Sequence, residues 1–210
     1  MHPDSRVITV GVTGSSGAVY AQTLLRALDA DARVARVNLV VTETGLRLIS
    51  TELGIVAREP RRLPALLTGT SADKFDYLPN KDIGASIASG SSRVDAMVVI
   101  PCSVGTLADI ACGLADDLLA RAADVCLKEG RRLVLAVRET PLNRIHLENM
   151  LRAQAAGAVI MPAMPSFYHQ PKTIDDLIAQ YVYRVLAQMD LPQEGQFEWK
   201  GGSAAKTAMP

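Results

Sequence analysis

Aliphatic and β-branched runs alternate along this chain with stretches of helical periodicity, and that alternation constrains the fold more than any other feature. Residues 6–12, 33–41, 96–100, 133–137 and 157–161 are apolar nearly throughout, not at every second position. Such runs belong to strands covered on both faces, the pattern of a parallel sheet between layers of helices. Helical patterns fall between them at 19–28, 44–53, 103–112, 116–129, 141–155 and 173–189. Pro141 suits the first turn of its helix, and Thr173 with Asp176 suits a capping box. The expected architecture is one α/β domain over residues 1–190, with helices on both faces of a parallel sheet. An irregular tail, 191–210, follows. Its lone tryptophan, Trp199, if exposed, would suggest docking on a partner or a neighbouring subunit. Residues 54–84 break the rhythm, being rich in Pro, Arg, Asp and Lys. They read as a surface excursion with a short helix at 61–67 and a short strand at 75–78.

Composition narrows the function classes. An apolar content of 49% supplies a full core, and 22 basic residues balance 22 acidic ones. A neutral chain has no general attraction to nucleic acid or to an anionic membrane. No apolar run reaches spanning length, and the N-terminus lacks a signal segment, so a soluble, cytoplasmic protein is expected. Cys102, Cys112 and Cys126 lack zinc-ligand spacing, as do His2, His146 and His169, and no metal site is expected. Cys102 follows a strand and is a candidate nucleophile, though a buried core thiol is the commoner reading.

Polar groups collect just past strand ends, where an open α/β sheet places its ligand crevice. The first strand runs into Thr-Gly-Ser-Ser-Gly-Ala at 13–18 and then a helix. Glycines admit a close ligand and free amides at a helix start attract phosphate, although the turn lacks the dinucleotide-binding glycine pattern. Ser103 and Thr106 follow one strand, and Arg138 and Glu139 follow another. Arg121 and Lys128 stand seven residues apart on the helix between, on one face, two turns apart. Together these predict a phosphorylated ligand on one rim. By spacing alone Arg121 and Lys128 also read as an exposed basic stripe. Glu52, late in a helix and opposed to its dipole, reads as a solvated carboxylate.

Longer motifs go further. TGSSGA at 13–18, ASGS at 88–91, PCSVGTLA at 101–108, RAADVCLKE at 121–129, VRETP at 137–141, HLENML at 146–151, GAVIMP at 157–162 and FYHQP at 167–171 resemble the UbiX family of flavin prenyltransferases, over residues 7–191. The resemblance implies a three-layer α/β/α Rossmann-like, flavodoxin-related fold and a homo-oligomer, usually a dodecamer. It implies an enzyme that joins a dimethylallyl group from dimethylallyl phosphate to N5 and C6 of reduced FMN, without a metal. The prenylated FMN would serve a UbiD-type decarboxylase. Position by position, it assigns Gly14, Ser16, Thr42, Ser103, Thr106 and Arg138 to FMN. It assigns Ser16, Arg121, Lys128, Tyr168 and Arg184 to the substrate phosphate and reaction centre, and Glu52 and Glu139 to catalysis. Apolar walls are expected at Ala88, Met161 and Pro162. Ile83 stands where some members carry tryptophan a few residues before ASGS. Two other readings compete. One is an FMN-dependent cysteine-type decarboxylase, whose PxMNxxMW stretch is absent from Pro162–Tyr168 here. The other is an FMN carrier or accessory subunit without chemistry.

Overall fold

The structure is a computed structural model that describes residues 5–199. Its strands are β1 (Arg6–Val12), β2 (Val34–Val41), β3 (Phe75–Pro79), β4 (Ala96–Cys102), β5 (Arg132–Val137) and β6 (Val159–Ile160). Its helices are α1 (Ala18–Ala30), α2 (Glu43–Leu53), α3 (Leu63–Thr68), α4 (Val104–Cys112), α5 (Leu118–Lys128), α6 (Arg144–Ala155) and α7 (Ile174–Gln188). Every strand pair is parallel, in the order β3-β2-β1-β4-β5-β6. The chain steps outward from β1 to β3, then returns to lay β4 beside β1 and steps the other way. The strand order therefore reverses between β1 and β4, and a crevice opens there at the carboxyl ends.

Alternate strand residues feed the two layers. Ile8, Val10, Val12, Val98 and Ile100 pack with α1, α2, α3 and α7. Met97, Val99, Leu133 and Leu135 pack with α4, α5 and the inner side of α6. Strands buried on both faces are apolar at consecutive positions, which explains the continuous runs. Gly11 lets α5 close on the sheet, since a β-carbon there would lie 2.9 Å from Leu119 Cδ1.

Three expectations are corrected. Pro141 does not open α6; Asn143 caps it, with Oδ1 accepting from the His146 amide at 2.9 Å. His146 Nδ1 accepts from the Asn143 amide at 3.3 Å, and this reciprocal cap sets the start three residues beyond the proline. The excursion is more than a surface loop. Leu63 and Leu67 are buried in the core and β3 pairs with β2, so this segment supplies a crossover and an edge strand. The last strand shrinks to the two residues of β6.

Candidate active site

The turn after β1 is tied to the ends of two other strands. Thr13 Oγ1 donates to the Pro101 carbonyl at 2.8 Å and accepts from the Ser103 amide at 2.8 Å. The Arg138 amide donates to the Cys102 carbonyl at 3.0 Å. Ser15 Oγ donates to the Arg138 carbonyl at 2.5 Å. Thr13 and Ser15 are both buried. Their hydroxyls thus replace the ladder that ends where the strands diverge, and they hold β1, β4 and β5 together around the crevice. Sequence reading passed over both residues. The signal was a hydroxyl directly after a buried strand, which an ordinary turn also carries.

Four residues assigned to FMN have local work of their own. Gly14 lies so close to α2 that a β-carbon there would fall 2.4 Å from Thr44 Oγ1. Thr42 caps α2, accepting from the Gly45 amide at 3.0 Å. Ser103 caps α4, accepting from the Thr106 amide at 3.2 Å and donating to Thr106 Oγ1 at 3.1 Å. Among the described residues no acceptor meets the amides of Val104 and Gly105, so α4 keeps an open, electropositive N-terminus beside the crevice.

The start of α1 is not open. Glu52, from the last turn of α2, accepts from the Gly17 amide at 3.0 Å and from the Ala18 amide at 2.7 Å. The expectation of free amides there is corrected: a carboxylate of this chain already fills the place of an anion. Burial acts to raise the Glu52 pKa, but the Ala18 and Gly17 amides, the Ser16 hydroxyl and the Arg138 charge together bring it below its ordinary value. Glu52 is thereby an ionised acceptor held at Ser16. Tyr20, also missed from sequence, lies nearby. Burial raises its phenol, opposed by Arg138, and its ring meets Tyr181 edge-on at 5.1 Å. The Arg138 field therefore reaches Glu52 and Tyr20 alike.

Glu139 borders a cavity of about 420 Å³ with Arg138, Leu142, Met150, Pro162 and Met164. A second cavity, about 210 Å³, is lined by Met161, Pro162, Met164, Ser166, Tyr181 and Arg184. Pro162 and Met164 are the wall between them. Arg184 Nη1 donates to Tyr168 Oη at 3.1 Å. Hydrogen bonding to Ser166 and then to Arg184 lowers the Tyr168 phenol below its ordinary value.

One copy of the chain does not bring Lys128 to this rim, and it gives Arg121 partners of its own. Arg121 Nε donates to the Ala88 carbonyl at 3.2 Å, and its Nη1 pairs with Asp124 at 2.7 Å. Lys128 pairs with Glu129 beside Gly90, whose carbonyl accepts from Arg131 Nη2 at 2.5 Å. Lys128 ends α5, just before the amino end of β5, whereas Glu139 follows the carboxyl end of that strand. The 11 residues of α5 span about 16 Å, and the crossover places the two residues at opposite edges of the sheet. Ala88 packs with the core on the α5 side of the sheet, whereas Met161 packs with the core on the other side. Ile83 is exposed.

Residues 1–185 match the Flavoprotein family. A flavin prenyltransferase UbiX of Halalkalibacterium halodurans is 44% identical over 193 residues, covering 92% of this chain and 93% of its own. This chain belongs to the UbiX family of flavin prenyltransferases. A UbiX-family fold is also found in crystals of AnUbiX in complex with FMN and dimethylallyl pyrophosphate. That structure has a TM-score of 0.81 and 41% identity, covering 94% of this chain and 98% of AnUbiX. A dodecameric FMN-dependent UbiX-like decarboxylase from Escherichia coli O157:H7 has a TM-score of 0.83 and 42% identity, covering 93% of this chain and all 100% of the other. Within this UbiX-family chain Cys102 is buried, and burial pushes its thiol up to about 12. A thiol so protonated is a core group, not a nucleophile. Among the described residues no helix is long and apolar enough to cross a membrane.

Proposed function

We propose that this enzyme transfers a dimethylallyl group from dimethylallyl phosphate to reduced FMN in the cytoplasm and delivers prenylated FMN to a UbiD-type decarboxylase. One observation carries the reading. Glu139 and the Arg184–Tyr168 pair sit on cavities that share the Pro162–Met164 wall. A carboxylate and a phosphate-binding pair across an apolar wall suit a reaction in which an allylic C–O bond breaks and phosphate departs. A carrier has no need of such a pair.

The residues present fit FMN. The open N-terminus of α4, with Ser103 and Thr106, and the Arg138 guanidinium suit its phosphate. Gly14 and Thr42 complete the floor. When bound, reduced FMN would supply two nucleophilic positions, N5 and C6, for the carbons of the allyl unit. Arg184, Tyr168 and the Ser16 hydroxyl then serve the substrate phosphate. Ionised Glu52 orients Ser16 and is set to accept a proton, not to donate one. Glu139 exchanges a proton with the reacting groups. Arg121 and Lys128 add the remaining positive charge, and they do so from a neighbouring copy, because within one chain Lys128 lies at the far end of α5 from Glu139 and Arg121 is engaged by Ala88 and Asp124. A homo-oligomer of dodecamer type is therefore part of the mechanism and not a packing accident.

Anaerobic incubation of the purified protein with reduced FMN and dimethylallyl phosphate tests the activity. The flavin mass should rise by one C5 unit. Unchanged flavin with intact substrate defeats the reading.

A further inference from the structure

We propose that Gln180 is a positioning residue, which clamps the tail and through it fixes Tyr168 against Arg184. This inference rests on the reading above, in which Tyr168 and Arg184 hold the substrate phosphate.

The tail leaves α7 and doubles back along it. Its root is tied down: Leu191 is buried, Arg33 Nη2 donates to the Pro192 carbonyl at 2.9 Å, and Gln193 Nε2 donates to Asp31 Oδ2 at 3.1 Å. The chain then turns, with the Gln196 amide donating to the Gln193 carbonyl at 3.1 Å and Gly195 at φ 86°. Here one side chain takes hold of the backbone twice. Gln180 Nε2 donates to the Gly195 carbonyl at 2.8 Å, and Gln180 Oε1 accepts from the Phe197 amide at 2.9 Å. Both ends of a single amide are used on residues two apart, so the register of the turn is fixed as well as its position.

What the clamp delivers is aromatic surface. The Phe197 ring lies 5.1 Å from that of Tyr168, tilted by 49°, and the Trp199 ring lies 6.2 Å away, near perpendicular at 82°. Tyr168 sits in a loop without regular structure and is 47% exposed, with its hydroxyl bonded to Ser166 of the same loop. Two contacts from outside the loop set its direction: the tail rings against its ring and Arg184 on its hydroxyl. Gln180 and Arg184 are four residues apart on α7 and share one side of it. One rigid helix thus holds Tyr168 from both sides, directly through Arg184 and indirectly through Gln180, Phe197 and Trp199.

The test uses Gln180→Met, which keeps the length and packing of the side chain and removes both hydrogen-bonding groups. On the assembled, full-length protein, amide exchange in the tail peptide containing Phe197 should speed up about tenfold. The KM for dimethylallyl phosphate should rise about fivefold, with kcat and FMN affinity little changed. In a Tyr168→Phe background, Gln180→Met should add nothing further to KM, because its effect passes through that phenol. Unchanged tail exchange, or an equal rise in KM in both backgrounds, overturns the proposal. If Tyr168→Phe raises KM and Gln180→Met does not, the substrate reading stands and the clamp alone fails. If Tyr168→Phe leaves KM at the wild-type value, the substrate reading fails, and the clamp's kinetic role falls with it.

Discussion

Single hydroxyls and carboxylates divide the work of this site between holding it together and acting in it. Ser15 belongs to the first group. Its hydroxyl is buried and serves one backbone carbonyl, that of Arg138. Ser15→Ala should destabilise the protein by about 1–2 kcal/mol, because the carbonyl is left unsatisfied. Urea unfolding measures that loss, and weakened FMN binding should accompany it. Glu139 is proposed for the second group. It is exposed at a cavity and, among the described residues, bonds only the adjoining Thr140 amide, at 2.9 Å. Glu139→Gln should leave stability and FMN affinity unchanged and lower kcat by roughly 100-fold or more. Wild-type turnover in that variant would remove Glu139 from the reaction. Glu52 shows why pattern reading undervalues some residues. In its own helix it opposes the dipole; in space it meets the start of α1, where a negative charge is favoured. Nothing within α2 records that second helix.

At the scale of elements, the site is made of helix starts brought to the carboxyl ends of strands. Thr42, Ser103 and Thr173 cap three of them, and of these Thr173, with Asp176, is the cap legible in sequence. The helical pattern expected from 116 starts at Leu118. Asp117 is the cap of α5, with Oδ1 accepting from the Ala120 amide and Oδ2 from Asn80 Nδ2, both at 2.8 Å. Two adjacent aspartates look alike in sequence, and only the residue that Asn80 reaches across from the end of β3 can fill both roles. Asp117→Ala should therefore cost about 2 kcal/mol, more than an isolated cap, since it also strands Asn80. A shift in the urea midpoint with an unchanged slope checks this. The crossover through α5 also explains Lys128. Its spacing from Arg121 put the two on one face of a helix, as it should, but a helix returning to the amino ends of the strands carries its last residue away from the rim. Arg121, in the first turn, is instead engaged by the Ala88 carbonyl and Asp124.

At the scale of the whole molecule, the proposed site draws on the tail and on a neighbouring copy. The tail root depends on Asp31. Hydrogen bonding from Arg33 comes first, and it holds the Asp31 carboxyl at about 2 against an ordinary 3.8. The contribution of this contact is complete above pH 3.8 and is lost as the pH falls through about 2. Wild-type protein should thus lose thermal stability across that window by more than Asp31→Asn, as melting followed against pH will show. Shared sites make a different prediction. Oligomers reassembled from a mixture of Glu139→Gln and Lys128→Ala subunits should recover activity that neither variant shows alone. No recovery would place both residues in a site built from one chain. Sequence by itself determined the layered parallel sheet, the cap at Thr173, the strand-end residues Ser103, Thr106, Arg138 and Glu139, and a resemblance specific enough to suggest the chemistry. Those are properties of local periodicity and of contiguous motifs. Tertiary structure alone decided the strand order, the tie from Thr13 and Ser15 across three strands, the seat of Glu52 on α1, and the grip of Gln180 on the tail. Each of these joins residues far apart in the chain, and no local pattern records which distant backbone group a side chain will meet.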